Sequence, residues 1–324
     1  MTGDLKISVV VPLFNKEIEV ERALRSALGQ TCEPDEIIVV DDGSTDASVS
    51  VVESLGDNRI RMIHQANAGV SAARNAGVLV ASNSYVAFLD ADDEWLPHFI
   101  EEISFLIEQF PEAGIYATKY LYCETQGTMR EPILHGFQPS AGRGLFNDYF
   151  HVAVSSDPPV WSSAVCVRKE ALKDVGGFPT GIGIGEDLVT WARLAARYRV
   201  AYSTKSSAVF HLRAPLVGKP SRVPEIPDRV AAGLQALLPL FDGKKLRSFR
   251  RYCAAWHRMR AAMYTQLGER ADAFKELFRS ANYDCWNLRL YLNGGLLLIS
   301  TRVRRILIKK ISSMKIAQRK KNPL

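Results

Sequence analysis

Cysteine is scarce in this chain, which has five cysteines among 324 residues. They are Cys32, Cys123, Cys166, Cys253 and Cys285. Their number is odd, and no two of them have the CxxC spacing that marks a structural zinc site. The pattern argues against a disulfide framework and a zinc site, and it is typical of a protein from a reducing compartment.

The sequence also lacks long hydrophobic runs. No stretch reaches the roughly 18 consecutive apolar residues that a membrane-spanning helix needs. Residues 1–4 lack the basic and apolar blocks of a signal peptide. From these features we expect a cytoplasmic protein. Hydrophobic residues make up 47% of the chain, which is enough for a sizeable core.

Three motifs of common catalytic folds are missing as well. No GxGxxG follows the first apolar run, so a dinucleotide-binding fold is not supported. The phosphate-loop pattern GxxxxGK[ST] and the GxSxG nucleophile elbow are also absent. The chemistry of the chain must therefore be sought in other residue patterns.

Acidic residues are absent from the C-terminal segment. Residues 301–324 hold nine basic side chains and no acidic one. Subtracting these nine from the 41 basic residues of the chain leaves 32, against 35 acidic residues, so residues 1–300 carry a net charge of −3. Because the main body is slightly acidic, we expect no nucleic-acid partner.

Apolar runs and helical patterns alternate over the first 90 residues. Four segments are predicted as strands, and they are the apolar runs Ile7–Val11 and Ile37–Val40, followed by Ile60–Ile63 and Tyr85–Leu89. The segments between them have helical spacing. Continuous apolar strands that alternate with helices form a mainly parallel sheet with helices on both faces. The sequence therefore predicts an α/β fold of the Rossmann-like kind.

The middle of the chain, residues 115–213, has a mixed pattern. It predicts strands at Tyr116–Tyr122 and Val160–Val167, a mobile glycine loop at Gly181–Gly185 and a helix at Glu186–Tyr198. A further helix is predicted before it, at Trp95–Phe110.

A proline-bearing linker covers residues 214–228, and the pattern beyond it is helical. Ala254–Leu267 and Glu269–Ala281 are examples. We therefore predict one α/β domain over residues 1–215 and a C-terminal α-helical region over residues 216–324.

A polar or turn-forming segment follows each of the four predicted strands. These segments are residues 12–15, 41–44, 65–74 and 90–93. In open α/β sheets, ligands bind beyond the carboxyl ends of the strands. Four such segments at one edge predict a binding site there.

The last of these segments, Asp90-Ala91-Asp92-Asp93, places three carboxylates within four residues. Such carboxylates repel one another unless a cation or solvent compensates. Hard carboxylate oxygens suit Mg²⁺ or Mn²⁺, which would bridge to substrate phosphates. The alternative is a solvated acidic turn before the next helix, and the position at a strand end favours the metal site.

Other side chains at this edge have two interpretations each. Asp41 and Asp42 can accept hydrogen bonds from a nucleobase imide or a ribose hydroxyl, but Asp-Gly-Ser-Thr-Asp is also ordinary turn chemistry. Arg74 lies among small residues and can offset phosphate charge, although a plain surface arginine fits the same pattern.

Glu186-Asp187 begins a predicted helix, whose N-terminus favours the charged carboxylate of a general base. Ordinary N-capping by aspartate is the alternative. His211 follows the apolar stretch Ala208–Phe210, and a lone histidine of this kind is more often structural than a ligand.

Together these stretches resemble the family 2 inverting glycosyltransferases, which have the GT-A fold. The resemblance covers about residues 5–213. The matching stretches are Val9–Glu17, Glu36–Asp46, Asn67–Gly69 with Ala73–Asn75, Phe88–Asp93, and Gly185–Leu188 with Trp191.

The resemblance implies roles for the matching positions. Around the nucleotide it places Pro12, Asn15, Asp42 and Arg74, with Asp42 as the partner of the base. Asp90 would approach the ribose, and Asp92 would bind Mn²⁺ or Mg²⁺. His211 stands where some members place a further metal contact.

The implied reaction is a single displacement. Asp187 would take a proton from the acceptor hydroxyl as that oxygen attacks the anomeric carbon of a nucleotide-diphosphate sugar, expected to be a UDP-sugar. Glu186 would lie beside it near the acceptor, a glycan or a lipid-linked glycan. The rival functions are a sugar-phosphate nucleotidyltransferase and a non-catalytic, membrane-associated nucleotide-binding scaffold.

The basic C-terminal segment has a helical pattern of its own. Val303, Ile306, Leu307, Ile311 and Met314 can share one face, flanked by lysines and arginines. A basic amphipathic helix of this sort can lie on an anionic membrane surface. We therefore expect residues 301–324 to contact the inner face of the cell membrane, the alternative being a packed helix followed by a disordered basic end.

Overall fold

The computed structural model describes residues 5–139, 141–212 and 223–286. Within this part of the chain the strands are β1 (Ile7–Leu13), β2 (Glu36–Asp41), β3 (Ile60–His64), β4 (Tyr85–Phe88), β5 (Glu94–Trp95), β6 (Ala113–Cys123), β7 (Met129–Arg130), β8 (Arg143–Leu145), β9 (Val165–Arg168) and β10 (Arg199–His211). The helices are α1 (Val20–Leu28), α2 (Ser48–Ser54), α3 (Val70–Val80), α4 (Phe99–Gln109), α5 (Tyr149–Ser155), α6 (Lys169–Asp174), α7 (Glu186–Arg197), α8 (Arg229–Gln235), α9 (Gly243–Leu267) and α10 (Arg270–Tyr283).

The strands form one mixed sheet in the order β3-β2-β1-β4-β9-β6-β10-β5, with β7 beside β6 and β8 beside β10. The first four strands are parallel, whereas β9 runs antiparallel to both β4 and β6. The chain passes from β1 to β2 and β3 on one side and returns with β4 on the other side of β1. A ligand is expected outside the carboxyl ends of the strands at such a reversal.

Helices cover both faces of the parallel half. Successive side chains of a strand point to opposite faces. Val9 and Val11 of β1 pack in one core cluster with side chains of α1 and α4. On the other face, α3 approaches so closely that a Cβ on Gly77 would lie 2.4 Å from Val10 Cγ1. Because both faces are covered, all seven residues of β1 are buried, and this is why the strand is apolar except at Ser8.

The helix predicted over Trp95–Phe110 is wrong at its start. Glu94 and Trp95 form β5, an edge strand that pairs with β10, and the helix begins only at Phe99. Pro97 disfavours helical geometry in the residue before it. The indole of Trp95 is buried and donates a hydrogen bond to the carbonyl of Ser163 at 2.7 Å.

The strand predicted over Val160–Val167 is only half correct. The described strand is Val165–Arg168, and Ser162–Ala164 form a 3-10 turn before it. Residues 181–185 form no helix or strand, and the predicted mobility of this glycine loop stays a prediction. The loop is held by hydrogen bonds, since the nitrogen of Gly183 donates to Glu225 at 2.5 Å and the carbonyl of Gly181 accepts from Arg229 at 2.9 Å.

The described chain forms two compact units. The first contains the sheet, its helices and residues 225–249, and the second contains residues 223–224 and 250–286. In the second unit, Ala261 and Tyr264 of α9 pack against Ala273 and Leu277 of α10. The described part of the C-terminal region, residues 223–286, is mainly helical as predicted, while the domain division at residue 215 stays a prediction. Most of the predicted linker and all of residues 301–324 lie outside the described residues.

Among the residues that the structure describes, no helix combines the length and the apolar character needed to cross a membrane.

Candidate active site

A cleft of about 610 Å³ lies at the carboxyl ends of β1, β2 and β4. The structure therefore brings together the strand-end segments that the sequence singled out. Its lining consists of Pro12, Leu13, Phe14, Asn15, Lys16, Asp42, Asn67, Gly69, Val70, Ala73, Arg74, Asp90, Ala91, Asp92 and Glu186.

The loop after β1 is tied to the loop after β2. Asn15 adopts a positive φ of 50°, a conformation that asparagine tolerates better than most residues. Its side-chain oxygen accepts a hydrogen bond from the nitrogen of Thr45 at 2.8 Å. The nitrogen of Lys16 donates to Ser48 Oγ at 2.7 Å. These bonds fix one wall of the cleft.

Asp41 and Asp42 point in different directions, as successive residues at a strand end do. Asp41 does not line the cleft; its carboxylate accepts a hydrogen bond from the nitrogen of Ser44 and lies 3.1 Å from His64 Nδ1. Burial by itself would raise the pKa of Asp41, but the bonds from Ser44 and His64 hold that pKa below its usual value. Asp41 thus shapes the turn rather than the cleft.

Asp42 lines the cleft and orders the loop after β3. Its Oδ1 accepts hydrogen bonds from Gln65 Nε2 at 2.7 Å and from the nitrogen of Ala68 at 2.8 Å. Its Oδ2 accepts from the nitrogen of Gly69, also at 2.8 Å. Gly69 has a φ of +88° immediately before α3, a conformation that favours glycine. The carboxylate of Asp42 therefore holds residues 65–69 in place.

Arg74 is buried, so a plain surface arginine is excluded. It projects from α3 and is 3% exposed. Its Nη2 donates to Asp90 Oδ1 at 2.7 Å and its Nη1 to Glu186 Oε1 at 3.2 Å. Burial disfavours the charged guanidinium, but the two carboxylates raise its pKa above the usual value. Arg74 thus links the end of β4 to the start of α7.

The three aspartates after β4 have different surroundings. Asp90 and Asp92 line the cleft. The nitrogen of Asp90 donates to Ser163 Oγ at 3.0 Å, and Asp92 Oδ2 lies 2.6 Å from Lys16 Nζ. The carbonyl of Asp92 accepts a hydrogen bond from Arg22 Nη2 at 2.6 Å. Both side chains of the Asp-x-Asp pair are therefore held on the cleft side.

Asp93 is turned into the protein. It is 1% exposed and accepts hydrogen bonds from Trp161 Nε1, at 2.9 Å, and from Ser163 Oγ. Burial, with a further contribution from the charge of Asp90, raises the pKa of Asp93 to about 7. This carboxyl group anchors the acidic segment instead of lining the cleft.

Glu186 and Asp187 occupy the first turn of α7, directly after Gly185, whose φ is +85°. Glu186 lines the cleft and is 9% exposed, whereas Asp187 is half-buried and accepts a hydrogen bond from the nitrogen of Leu188 at 2.7 Å. Burial first, and the charge of Asp187 next, raise the pKa of Glu186 to about 7 against the opposing effect of Arg74. The structure thus places Glu186 in the cleft lining and Asp187 beside it in the same turn of the helix.

His211 ends β10 and reaches the acidic segment beside Asp92. Its Nε2 lies 3.1 Å from Glu94 Oε2, and its backbone nitrogen donates to Asp93 Oδ1 at 3.3 Å. Glu94, the described partner of the His211 ring, was not predicted as a site residue. The metal role of His211 stays a prediction.

Lys16 and Ser163 were not predicted as site residues either. Lys16 lies three positions after the end of the first strand, and a basic residue next to the predicted cleft segment 12–15 was the available signal. The hydroxyl of Ser163 accepts a hydrogen bond from the backbone nitrogen of Asp90 and donates one to the carboxylate of Asp93. No pattern in the sequence marks that serine.

The cleft lining is rich in negative charge. It contains four carboxylates, Asp42, Asp90, Asp92 and Glu186, and two cationic side chains, Lys16 and Arg74. An anionic ligand therefore meets a field that repels it unless a cation binds with it. The chemistry of the donor set fits such a cation, because carboxylate oxygens are the ligands of Mg²⁺ and Mn²⁺ and an ammonium already lies 2.6 Å from Asp92.

The family model described as "Glycosyl transferase family 2" matches residues 8–176. Among curated relatives, the uncharacterized glycosyltransferase YibD of Escherichia coli K12 is 44% identical over 105 residues, which are 32% of this chain and 30% of that protein. Glycosyltransferase GlyA of Streptococcus pneumoniae serotype 4 is 39% identical over 129 residues, 39% of this chain and 18% of that protein. The matched part thus spans a third or less of these two relatives.

A solved structure has a similar fold over most of the chain. S. aureus TarS 1–349, in complex with UDP-GlcNAc, has a TM-score of 0.64, with 93% of this chain and 85% of that one covered. The sequence identity is 19%, so the likeness concerns the fold alone. The predicted fold class, a mainly parallel sheet between helices followed by a helical region, is confirmed.

Proposed function

Because the chain belongs to glycosyl transferase family 2 and has the GT-A fold, we propose that it transfers a sugar from a UDP-sugar to a hydroxyl group with inversion at the anomeric carbon. The observation that carries the proposal is the arrangement of the cleft, where Asp90, Asp92 and Glu186 surround the strand ends that bind ligands in open α/β sheets. The relatives are named glycosyltransferases, although only part of each is matched.

The nucleoside is assigned to the side of the cleft formed by β1 and β2. Pro12, Asn15 and Asp42 line this side, and the carboxylate of Asp42 is the acceptor for the imide of a uracil. Support for a uridine nucleotide comes from TarS, which was solved in complex with UDP and with UDP-GlcNAc. In this placement the diphosphate points toward Asp90 and Asp92. The backbone carbonyl of Asp92 is fixed by a hydrogen bond from Arg22.

A divalent cation, Mn²⁺ or Mg²⁺, is assigned to Asp92, with Asp90 beside it and His211 as a further contact. When bound, such a cation stabilises the negative charge that develops on the departing diphosphate. The excess of carboxylates over cationic side chains in the lining supports this assignment, since a diphosphate would add negative charge to a cleft that already carries it.

Asp187 is assigned as the general base. It lies in the first turn of a helix, where the helix dipole favours the charged carboxylate. As the acceptor oxygen attacks the anomeric carbon from the face opposite the diphosphate, its proton passes to the Asp187 carboxylate. The C–O bond to the diphosphate breaks in the same step, so the configuration inverts.

Arg74 and Glu186 position the site. Arg74 joins Asp90 to Glu186, and Glu186 is the neighbour of Asp187 in α7. The link therefore connects the donor side of the cleft with the helix that carries the base. A 1 Å displacement of a catalytic group can cost two orders of magnitude in rate, so rigid placement matters for the reaction.

The acceptor is proposed to be a glycan or a lipid-linked glycan at the inner face of the cell membrane. The basic amphipathic pattern of residues 301–324 supports a peripheral membrane contact. A sugar-phosphate nucleotidyltransferase is less well supported, because the loop after β1 contains no glycine. The turnover assay described next distinguishes an enzyme from a non-catalytic nucleotide-binding scaffold.

The test is a screen of nucleotide-sugars with the full-length chain, in Mn²⁺ and in a chelator, with release of free nucleotide diphosphate as the readout. We expect one or more UDP-sugars to be hydrolysed or transferred in Mn²⁺ and not in the chelator. Equal turnover in both conditions would show that the reaction does not depend on a divalent cation. Binding of UDP without any turnover would support the scaffold instead.

A further inference from the structure

Lys16 and Asp92 form an ion pair in the wall of the cleft. Lys16 Nζ lies 2.6 Å from Asp92 Oδ2, although the two residues are 76 positions apart in the sequence. Their side chains are 19% and 28% exposed, so the pair is better shielded than an ordinary surface ion pair. The interaction is therefore stronger than that of most exposed lysine–aspartate pairs.

Both partners of this pair are held by other elements. On the lysine side, the backbone is fixed by Ser48, which accepts from the nitrogen of Lys16. On the aspartate side, Arg22 donates to the carbonyl of Asp92. The ion pair thus joins two loops whose backbones are fixed. It therefore differs from a surface ion pair, in which a flexible side chain contacts whichever acidic residue lies nearby.

The other cation of the cleft lining has different partners. Arg74 contacts Asp90 and Glu186 and is buried between them. Of the two cationic side chains in the cleft lining, Lys16 is therefore the one with a described contact to Asp92. An ammonium on a flexible four-carbon stem can change its partner without movement of the backbone, which a bidentate guanidinium cannot do as readily.

We propose that Lys16 is the counter-ion of Asp92 in the donor-free protein, that a divalent cation displaces it, and that the released ammonium then contacts the diphosphate of the nucleotide. The proposal rests on the proposed function, because it takes Asp92 as the metal ligand. Lys16 is a positioning residue for the ions in this account, and it takes no proton.

This exchange couples metal binding to donor binding. Without the donor, a metal ion must compete with the Lys16 ammonium for the Asp92 carboxylate. With the donor bound, the diphosphate gives that ammonium another acceptor, so the metal binds more tightly. Coupling between two ligands is reciprocal, and the metal must therefore strengthen nucleotide binding by the same factor.

The experiment measures Mn²⁺ affinity of the full-length chain by electron paramagnetic resonance of free Mn²⁺, first without nucleotide and then with saturating UDP. Lys16→Met removes the charge and keeps the length of the side chain. Without UDP we expect this variant to bind Mn²⁺ roughly fivefold more tightly than the wild type. We also expect UDP to increase its Mn²⁺ affinity by a smaller factor than in the wild type.

Two variants serve as controls. Lys16→Arg keeps the charge and should bind Mn²⁺ no more tightly than the wild type. Lys119 is matched to Lys16 in exposure, at 17%, and pairs with Glu131 outside the cleft lining. Lys119→Met should therefore leave both Mn²⁺ affinities unchanged. Thermal unfolding checks that each variant is folded, and Lys16→Gln replaces Lys16→Met if the latter is not.

The outcomes separate this inference from the proposed function. If Lys16→Met binds Mn²⁺ no more tightly than the wild type, the inference is overturned, while Mn²⁺-dependent transfer by the wild type would leave the proposed function intact. If the wild type binds no Mn²⁺ and still transfers sugar in a chelator, the metal assignment is wrong and the inference fails with it.

Discussion

Arg74 Nη2 lies 2.7 Å from Asp90 Oδ1, and the arginine side chain that makes this contact is only 3% exposed. The same guanidinium contacts Glu186 through its other terminal nitrogen at 3.2 Å. The buried guanidinium of Arg74 therefore joins Asp90, at the end of β4, to Glu186, at the start of α7. These two residues are 96 positions apart in the sequence. The contact connects the two halves of the proposed reaction, the donor side and the side of the base.

Arg74→Met should destabilise the protein. The substitution leaves the carboxylates of Asp90 and Glu186 close together without their cation, and removing one partner of a buried pair costs about 3–5 kcal/mol. We expect a loss of about 3 kcal/mol, at the low end, because the two carboxylates keep some access to solvent. Urea unfolding at neutral pH measures the change in the free energy of unfolding.

The matched control for this prediction is Arg74→Lys. It keeps the charge but cannot donate to both carboxylates with a planar fork, so its loss of stability should be smaller than that of Arg74→Met. An unfolding free energy of Arg74→Met within 1 kcal/mol of the wild type would mean that the triad of Arg74, Asp90 and Glu186 does not exist as described, or that its charges are well hydrated (a difference of about this size is typical of an exposed pair).

Asp42→Asn should weaken UDP binding by roughly tenfold, which corresponds to about 1.4 kcal/mol. The amide nitrogen would face the backbone nitrogens of Ala68 or Gly69, both of which donate to the carboxylate in the wild type. The loop of residues 65–69 and the proposed acceptor for uracil would be lost together. Calorimetric titration with UDP measures the affinity.

Asp41→Asn is the matched comparison, because Asp41 precedes Asp42 at the same strand end and does not line the cleft. Its partners are Ser44 and His64. We expect a smaller effect on UDP affinity than for Asp42→Asn. The reverse order of the two effects would contradict the placement of the nucleoside beside Asp42.

Glu102→Gln should lower the stability at neutral pH more than at acidic pH. Burial would raise the pKa of this carboxyl group, but hydrogen bonds from Arg143 and Ser203 hold the pKa below its usual value. The folded state therefore keeps the charge to lower pH than the unfolded state does, and this stabilisation is present above the unfolded pKa of 4.5 and is lost as the pH falls through the folded pKa. The stability gap between wild type and variant should shrink accordingly.

The measurement is urea unfolding of both proteins from pH 3 to pH 7. Glu112→Gln is the control, since Glu112 forms an exposed pair with Arg199 at 3.7 Å and should contribute little at any pH. A gap between Glu102→Gln and the wild type that is constant over this pH range would show that the charge of Glu102 is not what stabilises the fold.

The parallel half of the sheet could be predicted because its strands follow one simple rule. β1, β2 and β4 are buried on both faces and so are largely apolar, and polar residues of the cleft follow within two positions of each strand end. The position of Asp42 and Asp90 at strand ends was sufficient to predict that both line the same cleft. Local patterns determine this part of the molecule.

Other features depend on contacts that sequence spacing does not reveal. Trp95 was predicted to begin a helix, yet it pairs with Ala208 of β10, more than 100 positions away, and its indole reaches Ser163. Among the three carboxylates at 90–93, the sequence could not tell that Asp93 is directed to Trp161 while the other two line the cleft. Those directions are set by the antiparallel β9 region packing beside β4.

The most direct test of the account is single-turnover sugar transfer by Asp187→Asn, measured beside its affinity for UDP in Mn²⁺. The amide cannot accept the acceptor's proton, and loss of a general base costs roughly 10²–10⁴-fold in rate. Because Asp187 is outside the cleft lining to which we assign the nucleotide, UDP affinity should stay within about twofold of the wild type, a change of about 0.4 kcal/mol. Transfer at the wild-type rate by this variant would contradict the account.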